Sequence, residues 1–346
     1  MKKILTIIFL SFLIGSNLIG QQQTLLTNFV LHRYMYNPAF AGTNTGMEFN
    51  ANYRNQWTGF TGAPKTIAVS GYGTFKKKPN MAVGGMVYSD KTGLVQRTNF
   101  YGSYSYHVKL NKKYSLGFGL ALGGVQYNVK VYDAIPFDKD DEFLKNDILN
   151  ANAFDANSGL YFYSKKFFFG LSSAQMVNGK IHWFEKEGRL SPHFYVMTGF
   201  NQILDKKKKE WMLQPTFLAR FNNPSPYMME LGLRGLYKEM YWLGFSGRVW
   251  KNFDKKWKSA SACVLVGATI SKQFTLAYSY DYALTALNQY SSGSHEIILT
   301  YTKLGKKRKT ASEKVMDADE SEFNNIDNSM KSNLKNKKKE EEPKND

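Results

Sequence analysis

The fold class that this sequence predicts is all-β: a transmembrane antiparallel barrel of about fourteen strands, followed by a disordered C-terminal tail. Three observations predict it. Apolar residues alternate with small or polar ones in segment after segment, the period of a two-faced strand. The segments are around ten residues long, enough to cross a bilayer at a tilt. The apolar face is rich in Leu, Phe and Tyr, whereas the other face carries small, polar and charged residues, among them Arg220, Glu230, Arg234 and Arg248. A soluble sandwich would have shorter strands with a polar outer face. Aromatics make up 15% of the 346 residues, a composition that favours strands.

The chain begins with a leader. Lys2 and Lys3 precede an almost wholly apolar run over residues 4–14, and residues 15–20 end in small and polar types. Residues 1–20 therefore read as a signal peptide, and cleavage after Gly20 leaves Gln21 first. No other stretch reaches the roughly eighteen apolar residues of a spanning helix. Residues 21–45 are irregular: Pro38 pushes Asn37 into an extended or turn conformation, and Gly42 frees a tight bend. Residues 34–40 are a candidate to fold back into the barrel lumen as a plug.

The barrel is assigned to residues 46–303. Met47, Phe49, Ala51 and Tyr53 alternate with Glu48, Asn50, Asn52 and Arg54. After an aromatic turn with Trp57, Gly59, Phe60, Gly62 and Pro64, Ile67 and Val69 oppose Thr66 and Ser70. Phe100, Tyr104, Tyr106 and Val108 oppose Asn99, Ser103, Ser105 and His107. Leu116, Phe118, Leu120 and Leu122 oppose Gly117, Gly119, Ala121 and Gly123. Phe274, Leu276, Tyr278 and Tyr280 oppose Thr275, Ala277, Ser279 and Asp281. Small residues on the second face leave room for an inserted segment.

The connections alternate in length. Short, basic ones fall at 76–80, 111–113, 164–166, 205–210, 237–239 and 271–272. Longer ones fall at 57–64, 89–97, 129–153, 177–192, 222–226, 251–257 and 283–292. Outer-membrane barrels have short periplasmic turns and longer outside loops, and an even strand count places both termini in the periplasm. Lysines at the inner rim either snorkel to lipid headgroups or dock an acidic partner. Tyr88, Tyr127, Tyr132, Trp183, Trp211, Trp242 and Trp250 near strand ends suit interfacial girdles. Residues 304–346 are polar and charged, with too little apolar content for a core, and read as a disordered periplasmic tail.

The formal charge is +18. Its lysines sit in turns and in the tail, not clustered on a nucleic-acid module, so nucleic acid is not an expected partner. The single cysteine, Cys263, lies in an apolar run and excludes a disulfide framework. Five histidines are scattered, at 32, 107, 182, 193 and 295. Only His295 has an acidic neighbour, Glu296, and adjacent strand residues face opposite sides. Ser105 and His107 share a face, a weak signal for a lipid hydrolase. Asp138, Asp140 and Glu142 lack the spacing of a calcium loop. No nucleophile turn, phosphate loop or dinucleotide fingerprint appears in a suitable context. Neither an enzyme, a cofactor nor a metal site is expected.

Two separated motifs carry a resemblance. Tyr36-Asn37-Pro38-Ala39-Phe40-Ala41-Gly42, then Tyr53-Arg54-Asn55-Gln56-Trp57 and Gly62-Ala63-Pro64, form the first. Tyr280-Asp281-Tyr282 and Ser292-Gly293-Ser294-His295-Glu296-Ile297 form the second. Together they resemble the PorP/SprF family, outer-membrane proteins of the type IX secretion system of Bacteroidota, over roughly residues 21 to 303. The resemblance implies a non-enzymatic component that helps secrete or attach large surface adhesins, including gliding adhesins. It implies as partners that cargo, the periplasmic ring lipoprotein complex and outer-membrane lipids. The family marks are Asn37, Pro38, Phe40, Gly42, Arg54, Trp57, Pro64, Gly293, His295 and Glu296, read as closing and plugging the barrel. Residues 138–142 and the pair Trp183-Phe184 would form the partner-facing surface. The rival reading is a porin or substrate-specific transporter with an open lumen.

Overall fold

Period-two alternation becomes a single closed sheet. The computed structural model describes residues 26–130, 148–183, 186–205, 208, 210–222, 227–251, 256–271 and 273–304. The leader, the centre of the acidic loop, the Phe184 position and the tail lie outside them. Among the described residues, no helix is long and apolar enough to cross a membrane.

Strands β1 (Gly46–Asn55), β2 (Lys65–Thr74), β3 (Met81–Thr92), β4 (Val95–Lys109), β5 (Ser115–Lys130), β6 (Ile148–Tyr163) and β7 (Phe167–Ala174) pair in sequence order. A small hairpin follows, β8 (Lys180–Trp183) with β9 (Lys186–Arg189). The wall resumes with β10 (His193–Phe200) and its two-residue continuation β11 (Gln202–Ile203). It is completed by β12 (Trp211–Asn222), β13 (Tyr227–Tyr237), β14 (Tyr241–Lys251), β15 (Trp257–Ile270), β16 (Phe274–Ala283) and β17 (Ser294–Leu304). β1 pairs with β17 from Gly46↔Leu304 to Asn55↔His295, and β10 pairs with β12 from His193↔Asn222, so the sheet closes as a 14-strand antiparallel barrel. Closure leaves no unpaired edge in the bilayer.

Parity sorts the side chains. Phe49, Val69, Phe100, Leu120, Leu231, Phe245 and Leu276 are exposed on the outer wall. Asn50, Asn52, Ser70, Asn99, Ser105, Asn157, Thr216, Arg220, Glu230, Arg248 and Ser279 are buried on the inner one. An apolar outer face and a polar interior are what a bilayer and a filled lumen demand.

Four sequence expectations change. The segment 89–97 is no long loop: β3 and β4 run on to Thr92 and Val95, and Gly93 turns the chain at φ 56. Lys130 and Ile148 extend β5 and β6 into the expected 129–153 loop, and β8–β9 forms inside 177–192. Tyr88, Tyr127 and Trp242 are buried, not girdle residues. Their parity turns them inward, where Tyr88 stacks with Tyr101 and Trp242 packs with Met212 and Leu236. Trp211, by contrast, is exposed.

The β8–β9 hairpin folds back over the loop-bearing mouth. Ile181 and Leu190 pack on the inward Val125, Tyr127, Ala151 and Ala153. Beneath it, residues 26–42 lie inside the barrel, with one helical turn α1 (Arg33–Tyr36) and a 3-10 turn at Pro38–Phe40.

Candidate functional site in the barrel lumen

The inserted segment is held at two places. The first is a seat of glycines. Asn37 caps the 3-10 turn, its Oδ1 accepting from the Ala39 N–H at 2.9 Å, while Pro38 supplies a preset φ at the turn's first position. The Asn37 Nδ2 donates to the carbonyls of Leu160 and Leu171, at 3.0 and 3.1 Å, on β6 and β7. This approach is open because Gly159 and Gly170 face it: a Cβ on Gly159 would collide with the Asn37 side chain. Ala39 presses likewise on Gly119 and Gly117 of β5. Ser105 and His107 both donate to the Ala41 carbonyl, at 2.5 and 2.6 Å, and the Tyr163 hydroxyl bonds His107 Nδ1. The Ser105–His107 pair is thus committed to backbone, not arranged as nucleophile and base. Gly42, at φ 92, sits against His107 and Ala82, where no side chain fits.

Aromatics frame this seat. Phe40 lies edge-on to Tyr72 and Tyr161, and Tyr36 edge-on to Tyr195. The Arg33 guanidinium stands over Phe40 and Phe168, at 4.8 and 4.6 Å, and donates to the Tyr161 hydroxyl. Tyr34 bonds Ser103 at 2.6 Å, Ser172 donates to the Tyr36 carbonyl, and His32 Nε2 meets Ser70 at 2.7 Å.

The second place is a buried ion network. Glu296 accepts the backbone N–H of Thr27 at 2.7 Å and of Asn28 at 3.1 Å, one on each oxygen. The same carboxylate pairs with Arg54 at 3.1 Å and accepts from Asn52. Arg54 also pairs with Asp281 at 2.9 Å and donates to the Thr27 hydroxyl. Asp281 reaches Arg248 at 3.2 Å, and Arg248 reaches Glu230 at 2.9 Å. Asn28 Nδ2 donates to Ser279 at 2.8 Å. Two cations and three carboxylates, all buried, are thereby satisfied mainly by one another and by the segment.

The structure brings most of the sequence-predicted residues together. Arg54 and Glu296, from the two separate motifs, are register partners across β1 and β17. Trp57 begins the neighbouring turn at φ 52 and donates its N–H to Ser294, and Thr58 donates to the Gly293 carbonyl. The Pro64 carbonyl closes that turn by accepting from Gln56. Asn37, Pro38, Phe40 and Gly42 form the seat. His295 stands apart, facing outward with Tyr278 and Tyr280. Sequence reasoning missed the roles of Glu230, Arg248, Asp281, Gly159 and Gly170; charged or glycine positions at inward parity were the available signal.

Among the described residues, no group of His, Cys, Asp and Glu is placed to hold a metal ion. Behind the glycine seat, the outer wall carries an open cavity of about 600 Å³ between Phe118, Leu120, Leu160, Leu171 and Phe194.

Comparison with known proteins agrees with this architecture. The CymD monoaromatic hydrocarbon channel superposes with a TM-score of 0.50 at 10% identity, covering 84% of this chain and 96% of that one. The P. putida toluene transporter TodX superposes at 0.46 and 8% identity, covering 79% and 93%. For CymD, at 10% identity, the likeness is one of fold. No curated protein matches the sequence. The family model of the type IX secretion system membrane protein PorP/SprF matches residues 18–301, across the glycine seat, the ion network and every barrel strand, and the chain belongs to that family.

Proposed function

We propose that the protein is a non-enzymatic part of the type IX secretion machinery that holds a secreted surface protein at the outer membrane and conducts no solute. The observation that carries this reading is the lumen. Residues 26–42 are bonded to inward side chains of β1, β2, β4, β7, β16 and β17 around the wall, so the segment acts as a plug. A selective pore needs an open path with binding groups along it. Here inward polar groups of six strands are spent on the segment.

In this reading the short turns face the periplasm. Their lysines, such as Lys76, Lys77, Lys112 and Lys113, are exposed and give the inner rim a positive field. The periplasmic ring lipoprotein complex would dock there. The tail 304–346 continues from the same rim, where β17 ends. The longer loops form the outer surface on which an adhesin, including gliding-type cargo, is retained. The barrel surface itself contacts outer-membrane lipids. Asn37, Pro38, Phe40, Gly42, Arg54 and Glu296 serve by positioning the plug; Trp57, Pro64 and Gly293 shape the adjoining mouth, and His295 faces the outer side of the wall.

The experiment is a deletion strain scored twice. Surface proteins should be lost from the cell envelope while small-solute uptake is unchanged. Normal surface display with a specific uptake defect would favour a transporter.

A further inference from the structure

Two outward serines cut a slot in the lipid-facing wall. One register row crosses five strands as Tyr104 of β4, Leu120 of β5, Ser158 of β6, Ser173 of β7 and Phe194 of β10. Tyr104, Leu120 and Phe194 are large and exposed, while Ser158 and Ser173 are small and half-buried. The floor is therefore two strands wide, between flanks whose backbones stand three strand spacings, about 14 Å, apart. It is the floor of the cavity of about 600 Å³ behind the glycine seat. The next outward row, Phe118, Leu160 and Leu171, continues the lining towards the short turns. Ser158 lies five residues before the end of β6. At a tilt of about 45° that is about 12 Å of depth, inside one leaflet of about 15 Å. On the turn side of the slot, Tyr114 stacks on Phe162 at 5.3 Å, and Phe162 meets Phe167 edge-on at 6.3 Å. Beyond this shelf come two turns, with Lys112 and Lys113 between β4 and β5 and Lys165 and Lys166 between β6 and β7. Neither turn, residues 110–114 or 164–166, carries an acid.

We infer that this slot is a binding site for one anionic phospholipid of the turn-side leaflet, with an acyl chain laid over Ser158 and Ser173 and the phosphate between the lysines of the two turns. Continuity and charge name the occupant. The slot opens onto the lipid-facing wall, and left unfilled it would forfeit the dispersion contacts that the rest of that wall makes. A chain entering from the turn side reaches Ser158 within its own leaflet. The two lysine-bearing turns join the same strands that build the slot, so they flank its entrance. Lysine stems are long enough to lie along apolar surface while their ammonium groups meet a headgroup. A second copy of this chain fits less well, because a two-fold contact across the slot would set the same lysines against each other. The site stands whichever compartment the turns face, and it makes no use of the secretion role.

The test uses the full chain in phosphatidylcholine vesicles doped with one of two probes. The first is phosphatidylglycerol with a diazirine on an acyl chain, and the second is phosphatidylcholine with the same diazirine. After irradiation, labelled peptides are mapped, and only heat-modifiable, folded protein is scored. Labelling by the phosphatidylglycerol probe should concentrate on Leu120, Leu160 and Leu171, above the exposed Leu276 of β16 across the barrel. Ser158→Leu fills the notch and should abolish that excess. Lys112→Gln combined with Lys165→Gln leaves the slot intact and should lower the phosphatidylglycerol excess about fivefold for each lysine removed, with phosphatidylcholine labelling unchanged. Even labelling around the wall means bulk lipid only and overturns the site. An equal excess for both probes, or an excess that survives Ser158→Leu, overturns it too. Crosslinking of the slot to another protein molecule would replace the lipid by a second copy. Should Ser158→Leu fail to insert, Ser173→Leu is read in its place, and the lysine pair decides by itself whether the lipid is anionic.

Discussion

Arg54 and Glu296 face each other across the β1–β17 seam at 3.1 Å, and the Glu296 carboxylate that seals the seam also holds the backbone of Thr27 and Asn28. One side chain thus joins wall closure to lumen filling. Removing one partner of a buried pair leaves an uncompensated charge, which costs about 3–5 kcal/mol. Glu296→Ala is expected to lower the temperature at which the folded band converts to the unfolded one on a gel. Arg54→Met combined with Glu296→Gln should recover part of that loss. Equal melting of Glu296→Ala and the native chain would refute this.

The glycine seat makes a steric prediction. Gly159→Val forces Asn37 off β6 and breaks its two bonds to Leu160 and Leu171, each worth about 1 kcal/mol. In planar bilayers this variant should conduct, and the native protein should not. Gly102→Ala is the control, because nothing lies within 4 Å of a Cβ there. Conductance that is identical in all three proteins would reject the seat.

His32 anchors the inserted segment to β2 through Ser70 at 2.7 Å. His32→Ala is expected to raise the protease susceptibility of residues 26–42. Equal cleavage of the variant and the native chain would reject this anchor.

Deleting residues 306–346 should leave barrel assembly intact, since the last wall strand ends at Leu304. The check is heat-modifiable migration of the truncated chain recovered from membranes. Failure to insert would show that the tail contributes to the wall.

Much of the wall was legible in the sequence because lipid on one side and a filled lumen on the other impose opposite demands on adjacent residues. Phe118, Leu120 and Leu122 against Gly119, Ala121 and Gly123 could hardly read otherwise. The reading failed where lipid ends. Around Ser89, Asp90, Lys91, Gln96 and Arg97 both faces are polar, so the β3–β4 hairpin looked like a loop. Tyr88 and Trp242 looked interfacial because an aromatic near a strand end suits either the girdle or the core, and only parity separates the two. The ion network was out of reach for another reason. Arg54 and Glu296 are 242 positions apart, and their meeting depends on the register of the closing seam.

That seam also bears on the order of events during folding. Residues 26–28 leave the ribosome first among the described part of the chain, yet their carboxylate anchor belongs to β17, the final strand. Until β17 arrives, the backbone N–H groups of Thr27 and Asn28 lack their acceptor, and Arg54 lacks one of its two counter-charges. The segment and the last strand therefore complete each other in one step, so an unfinished wall and an unanchored amino end are the same state.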